Sequence, residues 1–276
     1  MWGYLRGGRG PSEARWRPWG ECRPVALISF RSGTPETRPL FDNHFPVAIA
    51  GMTSMGQRIV AWDVQESVHF IRYKRRDNQL VVFCDDTTPR YVTSLTMLDY
   101  QSVAIGDKFG SIAILRLPQR VNEDVHEDPL GTRALWERGY LNGASQKADL
   151  QAVFYVGDLI TTLQKTSLVP GAGEALVYST IGGQIGMLVP FMSREEHDLL
   201  QNLEMHMRVE FPPLCGRDHL AFRSYYHPCK SVIDGDLCEQ FSLMDATKQK
   251  TVAAELGKKP NELLKKLEDI RTRFAF

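Results

Sequence analysis

Cysteine is scarce in this chain and odd in number, with five residues at Cys22, Cys84, Cys215, Cys229 and Cys238. No two stand at the close spacing of a zinc knuckle or a redox pair, which argues for a reducing compartment. No apolar run approaches the roughly 20 residues that cross a bilayer. Residues 1–10 carry Arg and Gly where a secretory signal needs an apolar stretch. Asn-x-Ser/Thr acceptors are missing as well. The expectation is an intracellular protein without membrane contact. Charge of one sign is also lacking, because Lys plus Arg and Asp plus Glu each number 33. The whole molecule therefore has no strong positive field for gripping phosphates, and any RNA contact has to be local. No P-loop, nucleophile elbow, His-Glu-x-x-His pattern or complete dinucleotide fingerprint occurs, so neither a cofactor nor an enzymatic activity is expected.

What is present falls into three textures. Residues 1–43 are rich in Gly, Pro, Trp and Arg without a strand or helix period, and read as a poorly structured leader. Arg residues beside Trp2, Trp16 and Trp19 also suit an RNA-binding arm, but only by composition. Residues 44–191 are short Val, Ile, Leu and aromatic runs punctuated by Gly, Asp and Asn, which are strand signals. They predict strands over 47–50, 58–63, 67–74, 80–84, 91–97, 102–105 and 111–117, then 150–156, 159–166, 175–179 and 184–189. Residues 192–276 turn helical. Ser193 with Glu196 forms a capping box, in which each side chain serves the other's backbone N–H. It precedes an apolar stripe of Leu199, Leu200, Leu203 and Met207. A second stripe follows Pro260 at Leu263, Leu264, Leu267, Ile270 and Phe274, flanked by the pairs Glu262/Lys266 and Asp269/Arg273.

One hairpin recurs. Ile59-Val60-Ala61-Trp62-Asp63, Val103-Ala104-Ile105-Gly106-Asp107 and Leu176-Val177-Tyr178-Ser179-Thr180 align, and Ser67, Ser111 and Gln184 each follow four positions later to open a second strand. From Asp63 to Asp107 is 44 positions and from Asp107 to Thr180 is 73. The excess matches a polar insertion at 118–147. A period near 44 is that of a four-stranded propeller blade. The fold expected is mainly β, a partial β-propeller of about three blades over 44–191, followed by a small α-helical carboxy-terminal domain over 192–276. Three blades make an open ring, so further blades are expected from sequence outside this chain or from another chain.

Candidate sites are few, and each has a plain structural alternative. Trp136, Tyr140 and Leu141 place large apolar surface on the insertion and suit partner docking, or folding back on a neighbouring blade. Arg72, Lys74, Arg75 and Arg76 crowd a hairpin tip, as a phosphate contact or as solvated turn charges. Asp107 and Gly110 read as turn residues. Asp234 and Asp236 read as turn and cap residues, with Asp236 serving the N–H groups that follow, although a cation or acid/base pair is the chemical alternative. Cys215, His219, His227 and Cys229 are the best metal candidates, at a spacing that fits no common zinc pattern. Gly182, Gly183 and Gly186 fall in a strand turn, the wrong context for a phosphate cradle.

Longer strings carry a resemblance. Asp63-Val64-Gln65-Glu66-Ser67, Arg72-Tyr73-Lys74-Arg75, Asp107-Lys108-Phe109-Gly110, Leu135-Trp136-Glu137-Arg138-Gly139, Leu141-Asn142-Gly143-Ala144-Ser145-Gln146-Lys147, Pro213-Leu214-Cys215-Gly216-Arg217-Asp218-His219-Leu220 and Ile233-Asp234-Gly235-Asp236-Leu237-Cys238 resemble the last propeller of the splicing factor 3b subunit 3 family. The likeness runs from about His44 to the last residue. The looser signatures Phe222-Arg223-Ser224-Tyr225 and Ile233-Asp234-Gly235-Asp236-Leu237 are shared with the large subunits of damage-specific DNA-binding protein and of cleavage and polyadenylation specificity factor. The resemblance implies a non-catalytic nuclear scaffold in the particle that recognises the intron branch site, with a helical-repeat large subunit and a small subunit as partners. The relatives imply, as alternatives, a ubiquitin-ligase adaptor or a part in 3′-end processing.

Overall fold

The computed structural model describes residues 24–29, 38–44, 47–74, 76, 79–121, 144, 146–171, 173–213 and 216–275. Strands β1 (Pro24–Ser29) and β2 (Arg38–His44) pair antiparallel with each other. They lie within the stretch expected to be a poorly structured leader, so that expectation does not hold for these two segments. Alternation is broken there by Pro24 and Pro39, which hides a strand from a period-two search.

Three sheets follow, in the order of the chain. Strands β3 (Ile49–Met55), β4 (Arg58–Asp63), β5 (Val68–Lys74) and β6 (Gln79–Asp85) form the first antiparallel meander. Strands β7 (Val92–Met97), β8 (Ser102–Asp107), β9 (Ser111–Arg116) and, beyond the short β10 (Gln146–Lys147), β11 (Asp149–Tyr155) form the second. Strands β12 (Ile160–Thr166), β13 (Ala175–Thr180) and β14 (Ile185–Leu188) form the third. Strands β3 and β4 pack against β7, and β7 and β8 pack against β12, so the sheets stand side by side as successive blades. The core lies between blades. Val60, Phe70, Phe83, Val92, Leu95 and Ile105 fill the first interface, while Ala104, Ile112, Phe154, Ile160, Leu163 and Tyr178 fill the second. The mainly β, partial-propeller expectation is met.

The repeat extends to backbone detail that the sequence pattern did not reveal. Each blade's first pair carries a register shift at the same place, between Ile49 and Gly51, between Val92 and Ser94, and between Ile160 and Thr162. Such a bulge bends the strand and sharpens its twist, which an inner propeller strand needs. In blades 2 and 3 the bulged residue is a threonine whose hydroxyl donates to the partner strand, Thr93 to the Gly106 carbonyl at 3.1 Å and Thr161 to the Ser179 carbonyl at 3.0 Å. Between blades, Ser94 Oγ accepts from the Leu163 N–H at 3.0 Å. Gly106 is required at that interface, because a Cβ there would lie 2.5 Å from Ile160 Cγ2.

The helices follow blade 3. They are α1 (Arg194–Glu210), α2 (His219–Arg223), α3 (Gly235–Glu239), α4 (Ala246–Glu255) and α5 (Pro260–Ala275), with a 3-10 turn at Gln240–Leu243. Both expected stripes face one core: Leu200, Leu203 and Met207 of α1 meet Phe241, Val252, Ala253 and Leu263. Ser193 Oγ accepts from the Glu196 N–H at 3.2 Å, as a capping box requires. The return contact differs from the expectation, since Glu196 accepts from the Met192 N–H and not from that of the cap residue. Its carboxylate is drawn across to α5, where Lys266 Nζ lies at 3.2 Å and Arg273 Nη2 at 3.2 Å. These two bases were expected to pair along their own helix; Glu196 is 4 % exposed and takes both because a buried carboxylate needs them more. Phe274 of α5, fully buried, seats the helix against blade 3 beneath Gly173, where a Cβ would come within 2.8 Å of its ring. No helix among the described residues is long and apolar enough to cross a membrane.

Two measurements probe this architecture. Gly110 sits at φ +89°, and a Cβ would lie 2.8 Å from both the N and O of Asp158. Gly110→Ala should therefore cost about 3 kcal/mol in chemical denaturation, whereas Gly183→Ala, at φ +84° with open space around it, should cost about 1 kcal/mol. Burial opposes ionisation of Glu196, but hydrogen bonds from Arg273 and Lys266 outweigh it and hold the carboxyl below the usual glutamate range. A depressed folded-state pKa stabilises above the ordinary value and loses that contribution as pH falls through the folded one. Glu196→Gln should be about 1–2 kcal/mol less stable than the parent at pH 7, with the gap closing in acid denaturation curves towards pH 3.

Candidate interaction surface

The polar residues of the propeller sit in its turns. Asp63 closes the β4–β5 turn with Oδ1 accepting from the N–H groups of Gln65 at 2.9 Å, Glu66, and Ser67 at 3.1 Å. The geometry holds Ser67 at φ 90°, a left-handed value for a residue with a side chain. Asp63 Oδ2 lies 2.8 Å from His69 Nε2, and Glu66 Oε2 is 3.7 Å from the same nitrogen. All three side chains are buried. Asp63, Glu66 and His69 are the one group of potential metal ligands that converges among the described residues. Its spacing spans a turn and a strand start, so it matches no metal-binding pattern in the sequence. One carboxylate is already spent on three N–H groups, so the cluster ties the turn to its strand.

Asp107 repeats the device in blade 2. Its Oδ1 accepts from Phe109 at 2.9 Å and Ser111 at 2.8 Å. Burial raises its carboxyl above the usual range despite these bonds. In blade 3 the equivalent position is Thr180, and the carboxylate comes from Asp158 in the preceding loop, which accepts from the Gly182 N–H at 2.7 Å. Gly182 and Gly183 make that turn, and Gly186 lets β14 pass Tyr178, whose ring a Cβ would meet at 2.2 Å.

The insertion leaves after β9 and returns along the outer edge of blade 1. There β10 pairs parallel with β6, Gln146 opposite Cys84 and Lys147 opposite Asp85. Asp85 is the anchor: its carboxylate takes Lys147 Nζ at 2.5 Å and the Ala144 N–H at 3.2 Å, while its carbonyl accepts from Ala148 at 2.8 Å. Gln146 Nε2 donates to the Phe83 carbonyl at 3.1 Å. Trp136, Tyr140 and Leu141 lie outside the described residues. Of the hairpin-tip cations, Arg72 and Lys74 are half-buried on β5, Arg76 is exposed and Arg75 lies outside the described residues. Arg58, across the ladder from Arg72, is buried with its guanidinium 3.8 Å from the Tyr100 ring and donating to the Tyr100 carbonyl.

The seam between propeller and helices is built on Arg223 and Asp234. Arg223 donates through Nε to Asp234 Oδ2 at 2.7 Å and through Nη1 to the Tyr155 carbonyl at 3.0 Å, and it lies 4.6 Å from the Phe154 ring centroid. Asp234 also takes His219 Nε2 at 2.9 Å, and with Oδ1 it accepts from the Leu237 N–H at 3.2 Å. Its own N–H donates to Glu204 of α1 at 3.3 Å. Asp234 is thus the cap of α3. Asp236, expected to serve those N–H groups, stands exposed in the first helical turn, because the helix starts two residues earlier than that role needs. A bridge between Val153 and Lys230, with both N···O distances 3.0 Å, runs beside the seam.

An open pocket of 460 Å³ adjoins it, lined by Phe211, Pro212, Pro213, His219, Arg223 and Asp236 among others. His219 is turned to Asp234, burial lowers the pKa of His227, and burial raises that of Cys229. Cys215 lies outside the described residues, and His219, His227 and Cys229 form no converging group among them. The polar atoms of the seam are committed to one another and to backbone, an arrangement suited to holding two parts together. Asp234→Asn should cost about 2–4 kcal/mol by leaving the half-buried Arg223 only partly paired, and limited proteolysis should then cut first near residue 192.

Comparison with known proteins adds three findings. The family described as "CPSF A subunit region" matches residues 38–243. The chain is similar to "Splicing factor 3B subunit 3" of Danio rerio, 57% identical over 85% of this chain and 19% of the relative, and to its namesake in Drosophila melanogaster, 56% identical over the same shares. It is also similar to "Spliceosome-associated protein 130 A" of Arabidopsis thaliana, 48% identical over 83% of this chain and 19% of the relative. The chain thus spans about a fifth of the length of these curated relatives.

Proposed function

The chain belongs to the family of the CPSF A subunit region, and on that premise we propose that it serves pre-mRNA splicing as a non-catalytic scaffold acting through protein surfaces. The observation that carries this reading is the 57% identity with a splicing factor over 85% of the chain. The quoted strings coincide with staples of the fold: the Asp63 and Asp107 turns, the Ala144, Gln146 and Lys147 edge, and the Asp234 cap. Residues spent on such tasks fix the shape of the blades, and a shape held in common with relatives would present common surfaces. The relatives' names place them in splicing, which supports a nuclear location for this chain; the partners in this proposal are the helical-repeat and small subunits of splicing factor 3b.

The insertion is the docking element in this proposal. Asp85 and Lys147 fix its last residues on the edge of blade 1, and Trp136 and Tyr140, with Leu141 next in sequence, are side chains large enough to anchor an interface. Arg72, Lys74, Arg75 and Arg76 serve at most a local RNA contact. Affinity purification of the tagged full chain from nuclear extract should recover splicing factor 3b subunits. Changing Trp136, Tyr140 and Leu141 together to alanine should cut that recovery at least tenfold with an unchanged circular-dichroism melt. Recovery of cullins without splicing factors would overturn the assignment, and full recovery with the triple variant would remove the docking role.

A further inference from the structure

A second surface, remote in sequence from the insertion, has the composition of a binding hot spot. Phe109 on the β8–β9 turn is 51% exposed, and Tyr225 and Tyr226 after α2 are 49% and 50% exposed. Their rings are in contact: Phe109 and Tyr226 centroids lie 5.3 Å apart and those of Tyr225 and Tyr226 4.8 Å apart. Behind them stand the half-buried rings of Tyr155 and Phe222, with Tyr155 stacked on Tyr225 at 5.5 Å and set edge-on to Phe222 at 5.5 Å. The Arg223–Asp234 seam fixes the backbone on which Phe222, Tyr225 and Tyr226 sit. The exposed rings are therefore held before any partner arrives, and tyrosine loses little rotamer freedom on burial.

Both ends of this aromatic row are cationic. Arg217, exposed, lies 5.2 Å from the Tyr225 ring, and Lys108, exposed and adjoining Phe109 in the chain, lies 5.0 Å from the ring of Tyr91. Two carboxylates that act on the Tyr155 ring are already engaged. Asp107 is buried and bound to its own turn, and Asp158 is bound to the Leu159 and Gly182 N–H groups. Asp218, next to Arg217 in sequence, is exposed. A cation lying on a ring face keeps N–H donors for an incoming acid.

The ring angles choose between ligands. Successive bases stack on successive open ring faces, but the three exposed rings stand at 48° for Phe109 with Tyr226 and 78° for Tyr225 with Tyr226, and the one near-parallel pair, Tyr225 with Tyr155 at 20°, is already stacked face to face. Crossed rings make walls, the arrangement that receives proline and aliphatic side chains of an extended peptide. We propose that Phe109, Tyr225 and Tyr226, flanked by Lys108 and Arg217, dock an extended, acidic, proline-containing protein segment. This holds whichever complex the chain serves, because it draws on the surface alone.

The test uses the full chain and three fluorescent probes in anisotropy titrations. They are an eight-residue peptide of prolines and leucine bounded by paired acids, its lysine-bounded counterpart, and an octauridylate. The acidic peptide should bind at least tenfold more tightly than either of the others, with affinity falling several-fold between 50 and 300 mM salt, roughly one Debye-length regime to the next. Arg217→Glu changes an exposed residue and should abolish the preference for acid over base. Phe109→Ser, on an exposed turn, should weaken binding about tenfold with the melt unchanged. Tighter binding of the uridylate would assign the surface to RNA and overturn the proposal. So would equal binding of the two peptides, no binding of the acidic one, or indifference to both variants.

Discussion

Arg223 is the residue on which the rest of the molecule turns. A guanidinium cannot shed its charge, so once half-buried it must be paired, and its planar fork dictates where the partners stand. One set of N–H groups faces Asp234 and another faces the end of β11, while the flat face covers Phe154. Asp234 in turn caps α3 and takes the His219 ring. A single cation thereby sets the distance and angle between blade 2 and the helices. Glu196 with Lys266 and Arg273 repeats the principle within the helical part, one carboxylate fixing α1 against α5.

The blades share a second constraint, a carboxylate at the turn between second and third strands. Blades 1 and 2 place it on the strand itself, at Asp63 and Asp107. Blade 3 has Thr180 there and borrows Asp158 from the loop before β12. That loop passes so close to blade 2 that Gly110 has no space for a side chain. The two features belong together, since the backbone that supplies the substitute carboxylate is the one that crowds Gly110. The turns thus couple neighbouring blades as well as closing each hairpin.

Much of this was legible from residue patterns. Strand positions followed from short β-branched runs, and the blade count followed from Asp63, Asp107 and Thr180 recurring before an apolar strand. The stripes of α1 and α5 predicted their common core because helical period and burial coincide. Side-chain partners were less accessible. Lys266 and Arg273 read as partners for acids one turn away, yet they reach a carboxylate about 70 residues off, because burial of Glu196 sets the stronger demand. Asp236 read as the cap, yet α3 begins at Gly235 and gives that role to Asp234. The Asp63, Glu66 and His69 group matched no motif, since its geometry exists only after the turn closes.

What the order of residues settled alone was periodic or local: strand, helix, turn and the repeat length, all of which depend on neighbours within a few positions. Folding settled what depends on distance in space. Phe109, Tyr155 and Tyr225 come from three separate stretches and show no pattern in the chain, and they form one surface only because the seam draws α2 onto the edge of β11. The same holds for Asp85 and Lys147, whose pairing joins blade 1 to a strand more than 60 residues later. Long-range charge pairing is set by which groups lose water together, and that is decided by the packing of blades and helices.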